Sequence, residues 1–178
     1  MHARASGGGL AVVPREPPGP RKFVPGGGGC YSTAWDYLLF LRMLLNRGRF
    51  GDVDVLRPAT VAMMADGQIG ALAVPPLKTT DPSQSADIEF LPGIGKTWGL
   101  SFLINTEDVP GRRRAGSLSW AGLANTYFWV DRKNRTAAVL FTQVLPFGDP
   151  ALLDLLDWTC STCSSAPLRP DDRCASFS

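Results

Sequence analysis

A chain of 178 residues that is 44% apolar and 19% charged has material for one domain with a real core, which excludes a wholly disordered or supercharged protein. Eighteen Lys plus Arg against sixteen Asp plus Glu give a formal charge of +2. No stretch forms a broad basic face, so no nucleic acid partner is expected.

The longest mostly apolar run, residues 37–45, is broken by Arg42 and falls far short of the ~20 residues a membrane helix needs. The N-terminal MHARASGGGLAVV lacks the apolar run of a secretory signal. No membrane partner and, by default, a cytoplasmic location are the expectations. The single histidine, His2, sits near the start of the chain and argues against a His base or His metal ligands. Of Cys30, Cys160, Cys163 and Cys174, the pair Cys160/Cys163 has C-x-x-C spacing. It has no second ligand pair, and it closes an apolar segment rather than opening a helix after a strand. It therefore reads as reduced, unpaired thiols, and no metal is expected.

In chain order, residues 1–29 are dense in Gly and Pro, and residues 1–24 read as a flexible lead-in. Thr33-Ala34-Trp35-Asp36 has the form of a capping box, with the carboxylate reaching back. Tyr37, Leu38, Leu41, Leu44 and Leu45 follow at helical spacing up to Gly48, so a largely buried helix is predicted. Pro58 opens a shorter helix that Asp66-Gly67 stops. Residues 70–95 show no period and read as a surface excursion of the kind that lines a cleft. Residues 97–104 read as one strand, and Arg112-Arg113-Arg114 as a solvated tip. Short strands follow at 116–120 and 126–130, joined onward by the polar Asp131-Arg132-Lys133-Asn134. The apolar run 136–144 reads as a central strand. Asp149 caps a helix running to Trp158. Beyond it, residues 159–178 read as a disordered tail. Helices, a long loop, antiparallel strands and a final helix make an α+β pattern.

Three blocks carry a family resemblance. The first is Pro25-Gly-Gly-Gly-Gly-Cys30-Tyr31-Ser32-Thr33-Ala34-Trp35-Asp36-Tyr37, leading into residues 40–48. The second is Trp98-Gly99-Leu100-Ser101-Phe102. The third is Gly116-Ser-Leu-Ser-Trp120-Ala121-Gly122 with Asn125-Thr126-Tyr127-Phe128-Trp129-Val130-Asp131. Together they resemble the β-lactamase-related serine hydrolases, the group of class C β-lactamases, DD-peptidases and esterases, over residues 25–158. The resemblance implies the C-terminal part of that α+β fold. It also implies hydrolysis of a small-molecule ester or amide through an acyl-serine, without cofactor.

That chemistry uses the Ser of Ser-x-x-Lys as nucleophile, with its Lys and the Tyr of Tyr-x-Asn sharing the base role. A third motif, Lys-Thr-Gly, lies on an edge strand and supplies an oxyanion-hole amide. No Ser here precedes a Lys by three, and none of Tyr31, Tyr37 or Tyr127 has Asn two positions on. In the family both motifs precede the matched region. The resemblance therefore implies a fragment without catalytic Ser, Lys or Tyr, inactive alone, with the missing N-terminal half as a partner. Trp120-Ala121-Gly122 takes the Lys-Thr-Gly position and Leu123 supplies the amide. Trp in place of Lys removes the cation for a substrate carboxylate, which favours neutral esters. The plainer reading of Trp120 is a core aromatic. Lys96-Thr97-Trp98-Gly99 mimics Lys-Thr-Gly with spoiled spacing. A non-catalytic binding or partner module is the alternative.

Overall fold

The computed structural model describes residues 1–5, 7–14, 19, 22–23 and 27–162, the side chains of 157–162 excepted. Cys163, Cys174 and most of the predicted tail lie outside the described residues.

The centre is a five-stranded antiparallel sheet of β5 (Lys96–Trp98), β6 (Leu103–Asn105), β7 (Leu118–Gly122), β8 (Thr126–Asp131) and β9 (Thr136–Leu140), paired in that order. Two segments predicted as single strands divide. Residues 97–104 fold back on themselves: Gly99 N–H donates to Phe102 O at 2.9 Å and Ser101 takes φ +79°, so β5 and β6 form a hairpin. The apolar run 136–144 ends as β9 at Leu140, and Val144–Leu145 forms β10 in another sheet. Nor is β9 central, because it closes one edge of the five-stranded sheet. Apolar continuity reports burial on two faces and says nothing about neighbours within the sheet.

Helix α1 (Ala34–Leu45) lies against one face of this sheet. Thr33 caps it, its Oγ1 accepting from Asp36 N–H at 3.1 Å. The Asp36 carboxylate reaches back as predicted, but accepts from the Thr33 hydroxyl at 2.8 Å rather than from a backbone amide. Gly48 ends the turn at φ +99°, where a Cβ would stand 2.1 Å from Leu56 O, so only glycine fits. The helix is less buried than its periodicity suggests. Leu41, Met43 and Leu44 are inside, whereas Trp35 stays 69% exposed and Phe40 is exposed too. The buried residues join Val61 of α2 (Pro58–Met64) and Phe102, Leu118, Phe128 and Val130 in the larger core.

The opposite face carries Tyr127, Trp129 and Leu156, the last from α3 (Pro150–Thr162). Asp149 caps α3 as predicted, accepting from Leu152 N–H at 3.2 Å. The helix runs to Thr162, past the Trp158 end read from the sequence.

Two strands form inside the stretch read as a flexible lead-in. β1 (His2–Arg4) pairs antiparallel with β2 (Leu10–Val12) and parallel with β10. Arg4 then grips Asp149 with two hydrogen bonds, tying the start of the chain to the cap of α3. The Gly and Pro content hid these runs of three residues.

The arginine turn also departs from expectation. Arg113 is only 3% exposed, while Arg114 pairs at the surface with Asp108 at 2.7 Å. The excursion 70–95 is pinned by two bridges, Leu77 with Ile88 and Ser85 with Phe147, the second through Ala86 N–H donating to Phe147 O and Phe147 N–H donating to Gln84 O.

Candidate functional site

Trp120, Ala121 and Gly122 form the C-terminal half of β7. The resemblance implied an edge strand, and the sheet order makes β7 an interior one. The register reconciles the two. β6 pairs only with Leu118 and Ser119, while β8 pairs with all of β7 from Leu118–Val130 to Gly122–Thr126. Trp120–Gly122 therefore run past the end of β6, laddered on one flank only. A strand flank without a ladder partner presents backbone donors and acceptors to whatever lies beside it.

Trp120 is half-buried, edge-on to Trp98 with centroids 4.5 Å apart and 5.6 Å from Phe90. It thus packs as the core reading required and also lines two depressions. One holds Val74, Leu77, Ile88 and Trp98; the other, about 180 Å³, lies between Phe90, Leu91, Leu153 and Leu156. At Gly122 a Cβ would come within 2.4 Å of Thr126 Oγ1, so any larger residue would force that side chain to turn. Leu123, 47% exposed, opens the three-residue turn to β8.

That turn is closed by Asn125, in the left-handed region at φ +55° and 0% exposed. Its Oδ1 accepts from the Tyr127 hydroxyl and from the amides of Gly148 (2.9 Å) and Asp149 (3.0 Å). Its Nδ2 donates to Val144 O (2.8 Å) and Pro146 O (2.7 Å). In the sequence Asn125 stands as one residue of the third resemblance block, with no role marked by its neighbours. The usable signal was a short polar residue just before a strand, where a hairpin often needs positive φ.

Burial pushes the Tyr127 hydroxyl up to about 12, so at neutral pH it stays protonated and serves as a donor to Asn125, not as a base. Lys96, the mimic of the third motif, is turned onto backbone. Its Nζ donates to Leu91 O and Ile94 O at 3.0 Å each and pairs with Glu89 at 3.4 Å. Among the described residues no group of three or more His, Cys, Asp or Glu is placed to hold a metal ion, and no helix is long and apolar enough to cross a membrane.

The family model described as Beta-lactamase matches residues 1–157. The chain belongs to the Beta-lactamase family. Its fold is the α+β fold of that family, and the match begins at the first residue, before the 25–158 stretch of the sequence resemblance. The acyltransferase calJ of Penicillium decumbens is 29% identical over 147 residues, covering 74% of this chain and 31% of that protein. The lovastatin esterase of Penicillium rubens is 30% identical over 134 residues, covering 73% of this chain and 33% of that protein. Among solved structures, a mutant of simvastatin synthase from Aspergillus terreus superposes with a TM-score of 0.67 at 25% identity, over 90% of this chain and 39% of the other. The chain thus spans about a third of the length of these curated relatives.

Proposed function

We propose that this chain is the C-terminal portion of a Beta-lactamase-family enzyme that transfers an acyl group from a small neutral ester to water or an alcohol through an acyl-serine. The observation that carries the reading is the register of β7. Trp120, Ala121 and Gly122 are laddered to β8 and open on the other flank, and they lead into the exposed Leu123. In the serine-hydrolase arrangement that is the place for a strand that aligns substrate and for an amide that meets a developing oxyanion.

Under this reading the nucleophilic Ser, its Lys and the base Tyr come from a separate N-terminal segment, the chain's partner. That segment attacks the ester carbonyl carbon and forms the acyl-serine as the alcohol leaves. Water or a second alcohol then takes the acyl group and regenerates the serine. Trp120, walled by Trp98 and Phe90, offers an apolar surface where a lysine would offer a cation. Neutral esters are therefore preferred over acids.

The names of the acyltransferase and esterase relatives support acyl chemistry of this kind. The alternative, a non-catalytic binding module, predicts a different outcome in one experiment. The chain is co-expressed with an N-terminal segment carrying Ser-x-x-Lys and Tyr-x-Asn, and the complex is assayed on p-nitrophenyl butyrate. Turnover that requires both pieces is expected. A stable complex with no turnover and no acyl-enzyme would favour the binding module.

A further inference from the structure

Asn125 makes five hydrogen bonds with its side chain while wholly buried, which uses its full donor capacity and three acceptor contacts. Those bonds gather three pieces of chain: β8 through Tyr127, the segment 144–146, and the entry of α3 at Gly148 and Asp149. The rest of the turn is held as well, because Thr142 Oγ1 donates to Ala124 O at 2.7 Å and to Asn125 O at 3.0 Å. Leu123, exposed, is the turn residue just N-terminal to this clamp.

We infer that Asn125 is a positioning residue for acyl transfer, clamping the β7–β8 turn so that the Leu123 amide is fixed where the oxyanion forms. This rests on the reading of Leu123 as an oxyanion donor. A donor misplaced by about 1 Å loses on the order of 100-fold in rate, so the rigidity of the turn matters beyond its stability. None of the five Asn125 bonds reaches Trp120, Trp98 or Phe90, the open flank of β7 and its aromatic wall, so KM is expected to change little.

The molecule contains its own control. Asn105 on β6 is also buried, and its Nδ2 also donates to two carbonyls, Glu107 O at 2.7 Å and Arg114 O at 3.0 Å, away from the β7–β8 turn. The test measures kcat and KM on p-nitrophenyl butyrate, and the phosphonylation rate by a fluorophosphonate, in the complex of the whole chain with its N-terminal segment. Asn125→Asp keeps the acceptor half of the clamp and loses the donor half. Asn125→Ala loses both, and Asn105→Asp is the matched control.

Asn125→Asp is expected to lower kcat and the phosphonylation rate about 10- to 100-fold at nearly unchanged KM. Asn105→Asp should melt earlier but keep its kcat. If Asn125→Ala does not fold, the Asp variant still decides. Equal kcat in the Asn125→Asp and Asn105→Asp enzymes would overturn the positioning role while leaving the acyl-transfer reading intact. Leu123→Pro, which deletes the amide proton, separates the two: full kcat in that variant, or no phosphonylation of the wild-type complex, would sink the oxyanion reading and this role with it.

Discussion

Trp120 stands, in the proposed alignment, where related enzymes carry a lysine, and a single substitution probes that difference. Trp120→Lys is expected to raise the preference for an anionic β-lactam over a neutral ester about 10-fold or more in the complemented enzyme, the worth of one charge-assisted hydrogen bond. The ratio of the two kcat/KM values measures it, and an unchanged ratio would mean that Trp120 does not face the substrate. The same variant should melt earlier, because Trp98 and Phe90 lose their ring partner.

Asp149 gives a residue-scale prediction about pH. The hydrogen-bonded Arg4 guanidinium, foremost, and the amide of Leu152 hold its carboxyl below the ordinary range. A lowered folded-state value means that the stabilisation is fully present above about pH 4, where the unfolded carboxylate is already charged, and is lost as pH falls through the folded value. Asn also caps helices well, so Asp149→Asn removes the charge and leaves the cap. In the complex with the N-terminal segment, the melting temperature of wild type should exceed that of Asp149→Asn at pH 6, and the gap should narrow as the pH falls below about 4. A gap that does not narrow at all as the pH falls below about 4 would assign the effect to something other than this ion pair.

At the scale of elements, the N-terminal strands are the part of the fold that the sequence concealed. Helices α1 and α3 were legible because their caps, Thr33 and Asp149, and their apolar spacing agree. The aromatic strand β8 was legible from its composition. β1 and β2 were not, since three-residue strands carry no period and their stability comes from the distant ladder to Val144 and Leu145 and from Arg4 on Asp149. The hairpin at Gly99–Phe102 escaped for a related reason, since its turn uses Ser101 in a conformation that sequence habits assign to glycine or asparagine. At the proposed site, it was the family resemblance that pointed to Trp120–Leu123, and the open flank is a matter of register that cannot be read from one strand alone. Deleting residues 1–13 removes both strands and Arg4. In the complex with the N-terminal segment, the truncated chain is expected to melt several degrees lower and, by hydrogen exchange, to lose amide protection at the start of α3. Unchanged protection there would show that β1 is not what holds the cap in place.

Across the whole molecule, large apolar side chains face outward on the α1 side, with Tyr31, Trp35 and Phe40 all exposed, and β9 ends the sheet with one unladdered edge. Unburied apolar surface forfeits about 25 cal/mol per Å², and an open edge is a template for wrong pairing. The chain alone is therefore predicted to associate or to melt without cooperativity. Addition of the N-terminal segment should yield a monodisperse complex with a sharp transition, seen by size exclusion and calorimetry.

In the proposed enzyme this chain supplies the substrate-aligning strand and the oxyanion amide, and the N-terminal segment supplies the nucleophile. Intact-mass measurement after incubation with a fluorophosphonate tests it directly. An unmodified mass is expected for the chain alone, and one added phosphonyl group, located on the Ser of Ser-x-x-Lys in the N-terminal segment, for the complex. Stoichiometric labelling of any serine in the isolated chain would contradict it.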